Sequence, residues 1–144
     1  MPLPTPEAGL VVHYEFLWSH EHADGATEGE KRRPALIIAA TKEGNETTVI
    51  LAPITHLMPR GTGTSVEIPT KVKAHLGLDE DRSWVILTEL NKFTWPGFHL
   101  YQVPNSPPGT FEYGFIPPAL FKQIKESIVA LDATFNSAIP RDDK

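Results

Sequence analysis

Cysteine is missing from this chain of 144 residues, which excludes a disulfide framework, a thiolate metal site and a cysteine nucleophile. The sequence also has no apolar run close to the roughly 18 residues that a membrane-spanning helix requires. Its first seven residues, MPLPTPE, lack the basic stretch and the apolar stretch of a signal peptide. These absences predict a cytoplasmic protein with no membrane contact, and the length fits one domain.

An excess of positive charge is also absent, since the net charge is −5, which argues mildly against a polyanion as partner. The distribution is uneven, however: residues 31–73 carry seven Lys/Arg against three acidic residues, and the remainder carries six against fifteen. Local potential governs contact more than the total charge does, so this region could bind a short nucleic acid. Charge alone leaves open the alternative of an ordinary solvated surface.

A segment that reads RRPALIIAATKEGNETTVILAPITH organises the rest of the chain. Two apolar runs, at 35–40 and 48–54, flank the polar stretch KEGNE, and this pattern predicts a hairpin of buried β-strands. In an antiparallel pair, the residue before the first strand and the residue after the second lie at the same end. The pattern therefore places Arg33 beside Thr55 and His56, where a cation, a hydroxyl and an imidazole could hold a phosphate.

Other segments predict further strands and a closing helix. Segments rich in β-branched and aromatic residues, which favour strands, lie at Gly9–Trp18, Ser65–Pro69, Ser83–Phe93 and Phe98–Val103. A helical turn is expected at Lys71–Leu78. From Pro117 onward an amphipathic helix is predicted, because apolar residues recur at three- and four-residue steps. These residues are Leu120, Ile124, Ile128, Leu131 and Phe135.

Short strands, long polar loops and one terminal helix predict a mainly β fold with α. We expect a small β-barrel made of a strongly bent antiparallel sheet, plus the C-terminal amphipathic helix. Three prolines indicate a flexible N-terminal arm over residues 1–8. A single barrel domain is expected over residues 9–136, followed by a C-terminal tail at 137–144, without an internal repeat or a second domain.

The ordered motifs resemble the PemK/MazF family of toxin–antitoxin ribonucleases. RPALII at 33–38 resembles the family's RPALVL strand, and APIT at 52–55 resembles its PITS strand end. SWVIL at 83–87, followed by ELN at 89–91 and by Trp95, resembles the third family strand. The Gly-led first strand and the closing helix match as well, so the similarity extends over nearly the whole chain.

This resemblance implies an SH3-like barrel plus helix, a homodimer, RNA and DNA binding, no cofactor, and an antitoxin protein as partner. It also implies cleavage of single-stranded RNA without a metal, by attack of the 2′-hydroxyl. By position, Arg33 and Thr55 match the family's arginine and threonine, and Glu28 matches an acidic position in the preceding loop. Lys31 stands where the family has glycine, and His56 where it has serine or asparagine.

Metal-free RNA cleavage requires a base for the 2′-hydroxyl proton, a cation for the phosphorane and an acid for the 5′-oxygen. Arg33 suits the cationic role because its guanidinium is always charged and can bind two phosphate oxygens. Thr55 can donate a hydrogen bond to the same phosphate, and His56 and Glu28 are each a candidate for the general acid or base. The plainer interpretation is a surface arginine at a strand start and a threonine that ends a strand.

Four further residues are predicted to contact RNA through charge, hydrogen bonding or stacking. They are Lys31, Arg32, Asn91 and Trp95. Asn91 falls where many family members carry a basic residue. A metal site at His20 and His22, with Glu15 nearby, is not favoured, since loop histidines are usually solvated and no third reliable ligand is evident.

The sequence therefore predicts a toxin-like, dimeric endoribonuclease with Arg33 and Thr55 at its phosphate site. The alternative is a catalytically weakened barrel that binds nucleic acid or protein without cutting. Cleavage of RNA in the presence of EDTA distinguishes the two.

Overall fold

The computed structural model describes residues 5–18, 25, 32–56, 64–79, 81–97, 99–131 and 139–141. Within them the chain forms eight strands and two helices. The strands are β1 (Leu10–Glu15), β2 (Arg32–Glu43), β3 (Glu46–Thr55), β4 (Ser65–Glu67), β5 (Trp84–Ile86), β6 (Asn91–Thr94), β7 (Glu112–Phe115) and β8 (Ile139–Pro140). The helices are α1 (Thr70–Leu76) and α2 (Pro118–Ala130). Neither helix is long and apolar enough to cross a membrane within these described ranges.

The strands form one strongly curled sheet, a half-barrel of the small β-barrel class. Its main path runs β4-β5-β3-β2-β1-β7, and β6 pairs with β3 beside this path. The described pairings are antiparallel except that of β6 with β8, which is parallel. The predicted fold class, mainly β with a C-terminal helix, is therefore confirmed.

Strands β2 and β3 form the long hairpin that the apolar pattern predicts. Their register pairs Ala35 with Pro53 near one end and Glu43 with Glu46 at the other. Gly44 lies in the turn with a φ of 63°, in the left-handed region that glycine adopts without strain. A register shift in the middle of β2 interrupts the ladder, and such bulges bend a strand and increase its twist.

The sheet is buried on both faces around β1. Successive side chains of a strand point to opposite faces, and those of β1 enter two separate clusters. Val11 joins one cluster, whereas Leu10 and Val12 join the other. The first cluster also contains Ile124 and Ile128 of α2, which have no exposed area. The apolar stripe of α2 therefore packs into the core, as its spacing predicts.

The segment 83–93, predicted as one strand, is divided into β5 and β6. Continuing the register of β5 along β3 would place Asn91 opposite Thr48, but Asn91 lies opposite Leu51. The chain must therefore leave the ladder between the two strands, and a turn there accommodates the shift. A pattern of apolar residues does not reveal such a change of register, because both strands carry buried residues.

Three other segments differ from their predictions. The helical turn expected at 71–78 is a longer helix, α1, which ends at Leu76 and is followed by the cap residue Gly77, whose φ of 72° is left-handed. The predicted strand at 98–103 is reduced, among its described residues, to a single bridge from Leu100 to Tyr14. Strand β7 lies where the sequence predicts no strand.

The C-terminal segment contributes to the sheet. Strand β8 lies inside the predicted tail, and the Ile139 amide donates to the Leu90 carbonyl oxygen at 2.9 Å. Phe135, the last residue of the predicted apolar stripe, lies outside the described residues. The division into an arm, a domain of residues 9–136 and a tail stays a prediction.

Candidate functional site

A pocket of about 380 Å³ lies at the open end of the β2–β3 hairpin. Its lining comes from the start of β2, the end of β3 and the segment between α1 and β5. The lining residues are Arg32, Arg33, Pro34, Ile54, Thr55, His56, Leu78, Asp79 and Ser83. The structure thus brings Arg33, Thr55 and His56 to one cavity, as the hairpin geometry requires.

The hairpin register explains why Arg33 and Thr55 meet. Arg33 lies two residues before Ala35, and Thr55 lies two residues after Pro53, the partner of Ala35. A spacing of two keeps a side chain on the same face of its strand, so both residues share the face of that pair. Thr55 is only 6% exposed, and it pairs with Trp84 of β5, which holds its backbone against that strand.

Aromatic rings lie against the two arginines of the pocket. The guanidinium carbon of Arg32 lies 3.6 Å from the centre of the Tyr101 ring, and that of Arg33 lies 5.1 Å from the Trp18 ring. Contacts of this kind favour a cation over the face of the ring. They restrain two long side chains beside the cavity, so less conformational entropy is lost when an anion binds.

His56 is held by a carboxylate that the sequence does not single out. Its Nε2 atom lies 2.8 Å from Oδ2 and 3.0 Å from Oδ1 of Asp79. The same Asp79 accepts a hydrogen bond at 2.8 Å from Nζ of Lys73, which is 4% exposed. The Lys73 hydrogen bond and the nearby His56 hold the pKa of Asp79 below its usual value. Asp79 is therefore an anion at neutral pH, compensated on both sides.

His56, Asp79 and Asp81 are the group closest to a metal-ligand set in the described part of the chain. One ligand atom from each lies within 4.8 Å of the others, and all three residues are exposed. Lys73, however, already bonds Asp79 Oδ1, so its ammonium would repel a cation coordinated there. We assign no metal site to this group.

The other candidate metal set consists of Glu15, His20 and His22. The Glu15 carboxylate lies 3.3 Å from Nδ1 of His99, and His20 and His22 lie outside the described residues.

Asn91 is not placed to contact RNA, which corrects its assignment to the RNA-binding set. It has no exposed area, and its amide nitrogen donates to the Leu17 carbonyl oxygen at 2.8 Å. Its carboxamide oxygen accepts hydrogen bonds from the Leu17 amide and the Arg141 guanidinium. These bonds engage both the nitrogen and the oxygen of the carboxamide within the interior, so Asn91 has a structural role.

Trp95 also lies away from the pocket. Its amide donates to the Thr47 carbonyl oxygen, and it follows Thr94, which pairs with Thr48. Thr47 and Thr55 are eight residues apart on β3, or about 26 Å along the strand at ~3.3 Å per residue. Because Trp95 stacks on Phe93 at 6.0 Å, we assign it to packing rather than to the pocket. Glu28 and Lys31 lie outside the described residues.

A second groove, of about 650 Å³, adjoins the pocket and shares Pro34, Leu78 and Asp79 with it. Tyr113 lines this groove, and its hydroxyl lies 2.9 Å from Nδ1 of His13. Burial, together with the charge of Asp79, raises the pKa of Tyr113 to about 12. Burial and the positive charge of Arg32 lower the pKa of His13. Both groups are therefore neutral at pH 7, and one hydrogen bond joins the hydroxyl to Nδ1 of the imidazole.

Sequence reasoning missed Asp79, Lys73 and Ser83. Asp79 is 23 residues from His56 along the chain, and in the sequence it belongs to a run of four charged residues, DEDR, typical of a solvated connector. The sequence contains one signal for this contact, because Lys73 lies on a short predicted helical segment before the acidic run and has no predicted partner. The structure shows that Lys73 turns inward and bonds the first acid of the run.

Comparison with known proteins identifies one family. The family model described as "PemK-like, MazF-like toxin of type II toxin-antitoxin system" matches residues 14–94, which is more than half of the chain. The matched region contains every residue that lines the pocket. No curated protein and no solved structure gives a significant match.

Proposed function

This chain belongs to the PemK-like, MazF-like toxins of type II toxin–antitoxin systems, and we propose that it cleaves single-stranded RNA without a metal. The family implies an antitoxin protein as its partner. The observation that supports the proposed activity is the shared pocket of Arg33, Thr55 and His56. These side chains offer a fixed cation, a hydroxyl donor and an imidazole, the side chain most often used for proton transfer.

The proposed reaction is an in-line displacement at phosphorus. His56 accepts the proton of the 2′-hydroxyl, the 2′-oxygen forms a bond to phosphorus, and the bond from phosphorus to the 5′-oxygen breaks. Arg33 and Thr55 stabilise the charge that develops on the phosphorane oxygens. The leaving 5′-oxygen takes a proton, and we propose Glu28, the other candidate for general acid or base, as its donor. The products are a 2′,3′-cyclic phosphate and a 5′-hydroxyl.

The charge of the pocket suits a phosphate despite the net charge of −5. Arg32 and Arg33 both line it. Among the described residues one carboxylate lines the pocket, that of Asp79, which is paired with Lys73 and contacts His56. Its repulsion of an incoming anion is therefore reduced, and local potential governs the encounter. A volume near 380 Å³ lies within the usual range of small-ligand sites.

We also propose, from the family alone, that the toxin is a homodimer and that it acts in the cytoplasm. In the same proposal the antitoxin inhibits the toxin, and nucleic-acid binding is part of its role. Light scattering after size exclusion tests the dimer. Growth arrest on expression, relieved by a small protein encoded next to the toxin, tests the biological role.

The activity is tested by incubating the purified protein with mixed-sequence RNA in EDTA. We expect cleavage that leaves 2′,3′-cyclic phosphate ends and that falls about 10²–10³-fold in Arg33→Ala, because one transition-state donor is lost. Thr55→Val, which keeps the shape and removes the hydroxyl, should also reduce the rate. Lys42→Ala is the matched control, since it removes a charge at the far, exposed end of the hairpin.

Two results would contradict the proposal. RNA left intact but bound by the wild type would favour the alternative, a barrel that binds without cutting. Equal rates in Arg33→Ala and the wild type would show that the pocket is not the site of cleavage.

A further inference from the structure

We propose that Asp79, held in place by Lys73, is a positioning residue that sets the tautomer and orientation of His56. This inference rests on the proposed function for its catalytic meaning, but the structural part can be measured separately. It concerns residues that neither the sequence motifs nor the family match assigns to the reaction.

The contact between His56 and Asp79 determines which ring nitrogen carries the proton. Both carboxylate oxygens lie within 3.0 Å of Nε2. A carboxylate accepts hydrogen bonds and cannot donate them, so Nε2 must be the protonated nitrogen. In the neutral ring, Nδ1 then carries the lone pair and is the atom able to accept a proton.

Lys73 restrains Asp79, and this distinguishes the contact between Asp79 and His56 from a mobile surface ion pair. The side chains of His56 and Asp79 are each about half exposed, and exposed pairs of this kind are usually weak and mobile. Lys73, in contrast, is 4% exposed and lies on α1 between the buried residues Val72 and Leu76. Its ammonium needs hydrogen-bond acceptors in this buried position, and Asp79 Oδ1 supplies one at 2.8 Å.

The backbone after Asp79 completes the arrangement. Lys73 also donates to the Asp81 carbonyl oxygen, and the Asp81 amide donates to Asp79 Oδ1 at 3.2 Å. The Asp79 carboxylate is therefore bound by an ammonium, an amide and an imidazole at once. A charge held in this way can orient its partner without losing rotamer freedom during the reaction.

In the proposed reaction Asp79 does not take the proton itself. The 2′-hydroxyl proton moves to Nδ1 of His56, the 2′-oxygen bonds to phosphorus and the 5′-oxygen leaves with a proton. The imidazolium formed in this step is stabilised by the carboxylate on its other nitrogen. The effect resembles that of the acids that orient the histidine of a catalytic triad.

The structural part is tested by nitrogen-15 NMR of histidine-labelled protein at a pH where His56 is neutral. We expect His56 to show a protonated Nε2 and an unprotonated Nδ1 in the wild type. Asp79→Asn should give a mixture of the two tautomers, because a carboxamide can either accept or donate. The same substitution keeps an oxygen that Lys73 and the Asp81 amide can bond, so the fold should be retained. A predominantly Nδ1-protonated His56 in the wild type would overturn the inference.

The catalytic part is tested by steady-state kinetics on a short single-stranded RNA. We expect Asp79→Asn to lower kcat about 10²-fold, the low end for loss of general acid–base catalysis, with KM changed less than about threefold. The double variant His56→Ala/Asp79→Asn should be no slower than His56→Ala, because the two side chains act as one unit. An additive loss in the double variant would contradict a role through His56.

Asp81→Asn is the matched control. It removes the same charge from the same segment, but only the backbone of Asp81 takes part in the hydrogen bonds described. We expect its kcat within twofold of the wild type. An equal loss in Asp81→Asn would show that local charge, rather than the orientation of His56, governs the rate.

The outcomes also separate this inference from the proposed function. If Arg33→Ala abolishes cleavage while Asp79→Asn cleaves like the wild type, the function holds and the positioning role is wrong. If the wild type leaves RNA intact, the function is wrong and with it the catalytic role of Asp79. The nitrogen-15 NMR measurement of the His56 tautomer then still tests whether Asp79 orients the ring.

Discussion

Asn91 and Arg141, fifty residues apart in the chain, form a buried hydrogen bond of 2.9 Å. The Arg141 guanidinium also donates to the Glu15 carbonyl oxygen, and Asn91 bonds both backbone groups of Leu17. These contacts connect Arg141, which follows β8, with the start of β6 and with the last residue of β1 and the residues just after it. A side chain predicted to contact RNA is thus the centre of an internal network.

Replacing Asn91 by alanine should destabilise the protein without changing its chemistry. The substitution leaves the amide and carbonyl of Leu17 and one Arg141 donor without partners, and a buried unsatisfied group costs about 1–3 kcal/mol. We expect the free energy of unfolding in urea to fall by roughly 3 kcal/mol. Lys92→Ala, at an exposed neighbouring position, is the control and should change it by less than ~0.5 kcal/mol. Weaker RNA binding at unchanged stability would instead restore the RNA-contact interpretation of Asn91.

Arg32→Ala should weaken RNA binding more than it slows chemistry. Arg32 lines the pocket and lies over Tyr101, so it can bind a phosphate that flanks the scissile one. We expect KM to rise about fivefold, equivalent to ~1 kcal/mol, with kcat nearly unchanged. The slope of log affinity against log salt should fall by about 0.7 for one lost single-strand phosphate contact. Lys42→Ala controls for net charge, and an equal change there would argue against a specific contact.

Trp95→Ala should leave RNA affinity within twofold of the wild type. The residue lies about 26 Å along β3 from Thr55, by the ~3.3 Å rise per residue of a strand, and it packs on Phe93. Fluorescence anisotropy with labelled single-stranded RNA measures the affinity. A tenfold loss in a variant that still unfolds cooperatively would show that RNA extends to this end of the sheet.

The stability of the fold should depend on the protonation of His13. Burial and Arg32 lower the pKa of His13 in the folded protein, so the unfolded chain binds the proton more readily. The free energy of unfolding should therefore fall as the pH drops below about 6.5, the unfolded value. The loss cannot exceed about 1.4 kcal/mol per pH unit for one group.

His13→Asn provides the comparison, because its amide can still bond the Tyr113 hydroxyl but does not titrate. Denaturant unfolding at pH 7.5 and 5.5 should show a smaller loss in this variant than in the wild type. Equal losses in the two proteins would show that other groups govern the acid dependence.

Much of the fold follows from local pattern. The paired apolar runs and the glycine turn determine the β2–β3 hairpin, and hairpin geometry alone brings Arg33 to Thr55 and His56. The stripe of α2 identifies its buried side in the same way, since Ile124 and Ile128 have no exposed area. These features depend on neighbours close in sequence or joined by one tight turn, so a repeating pattern is enough to predict them.

What lies on the far side of the pocket depends on contacts that no local pattern encodes. The sequence alone determined the guanidinium, the hydroxyl and the imidazole at one rim, because a single hairpin specifies their register. Only the tertiary structure decided that Asp79 faces His56 and that Asn91 turns inward to Arg141. The first pair joins segments 23 residues apart and the second joins segments 50 residues apart. The sequence does not show whether the hydrogen bonds of a polar side chain are made by water or by a buried partner.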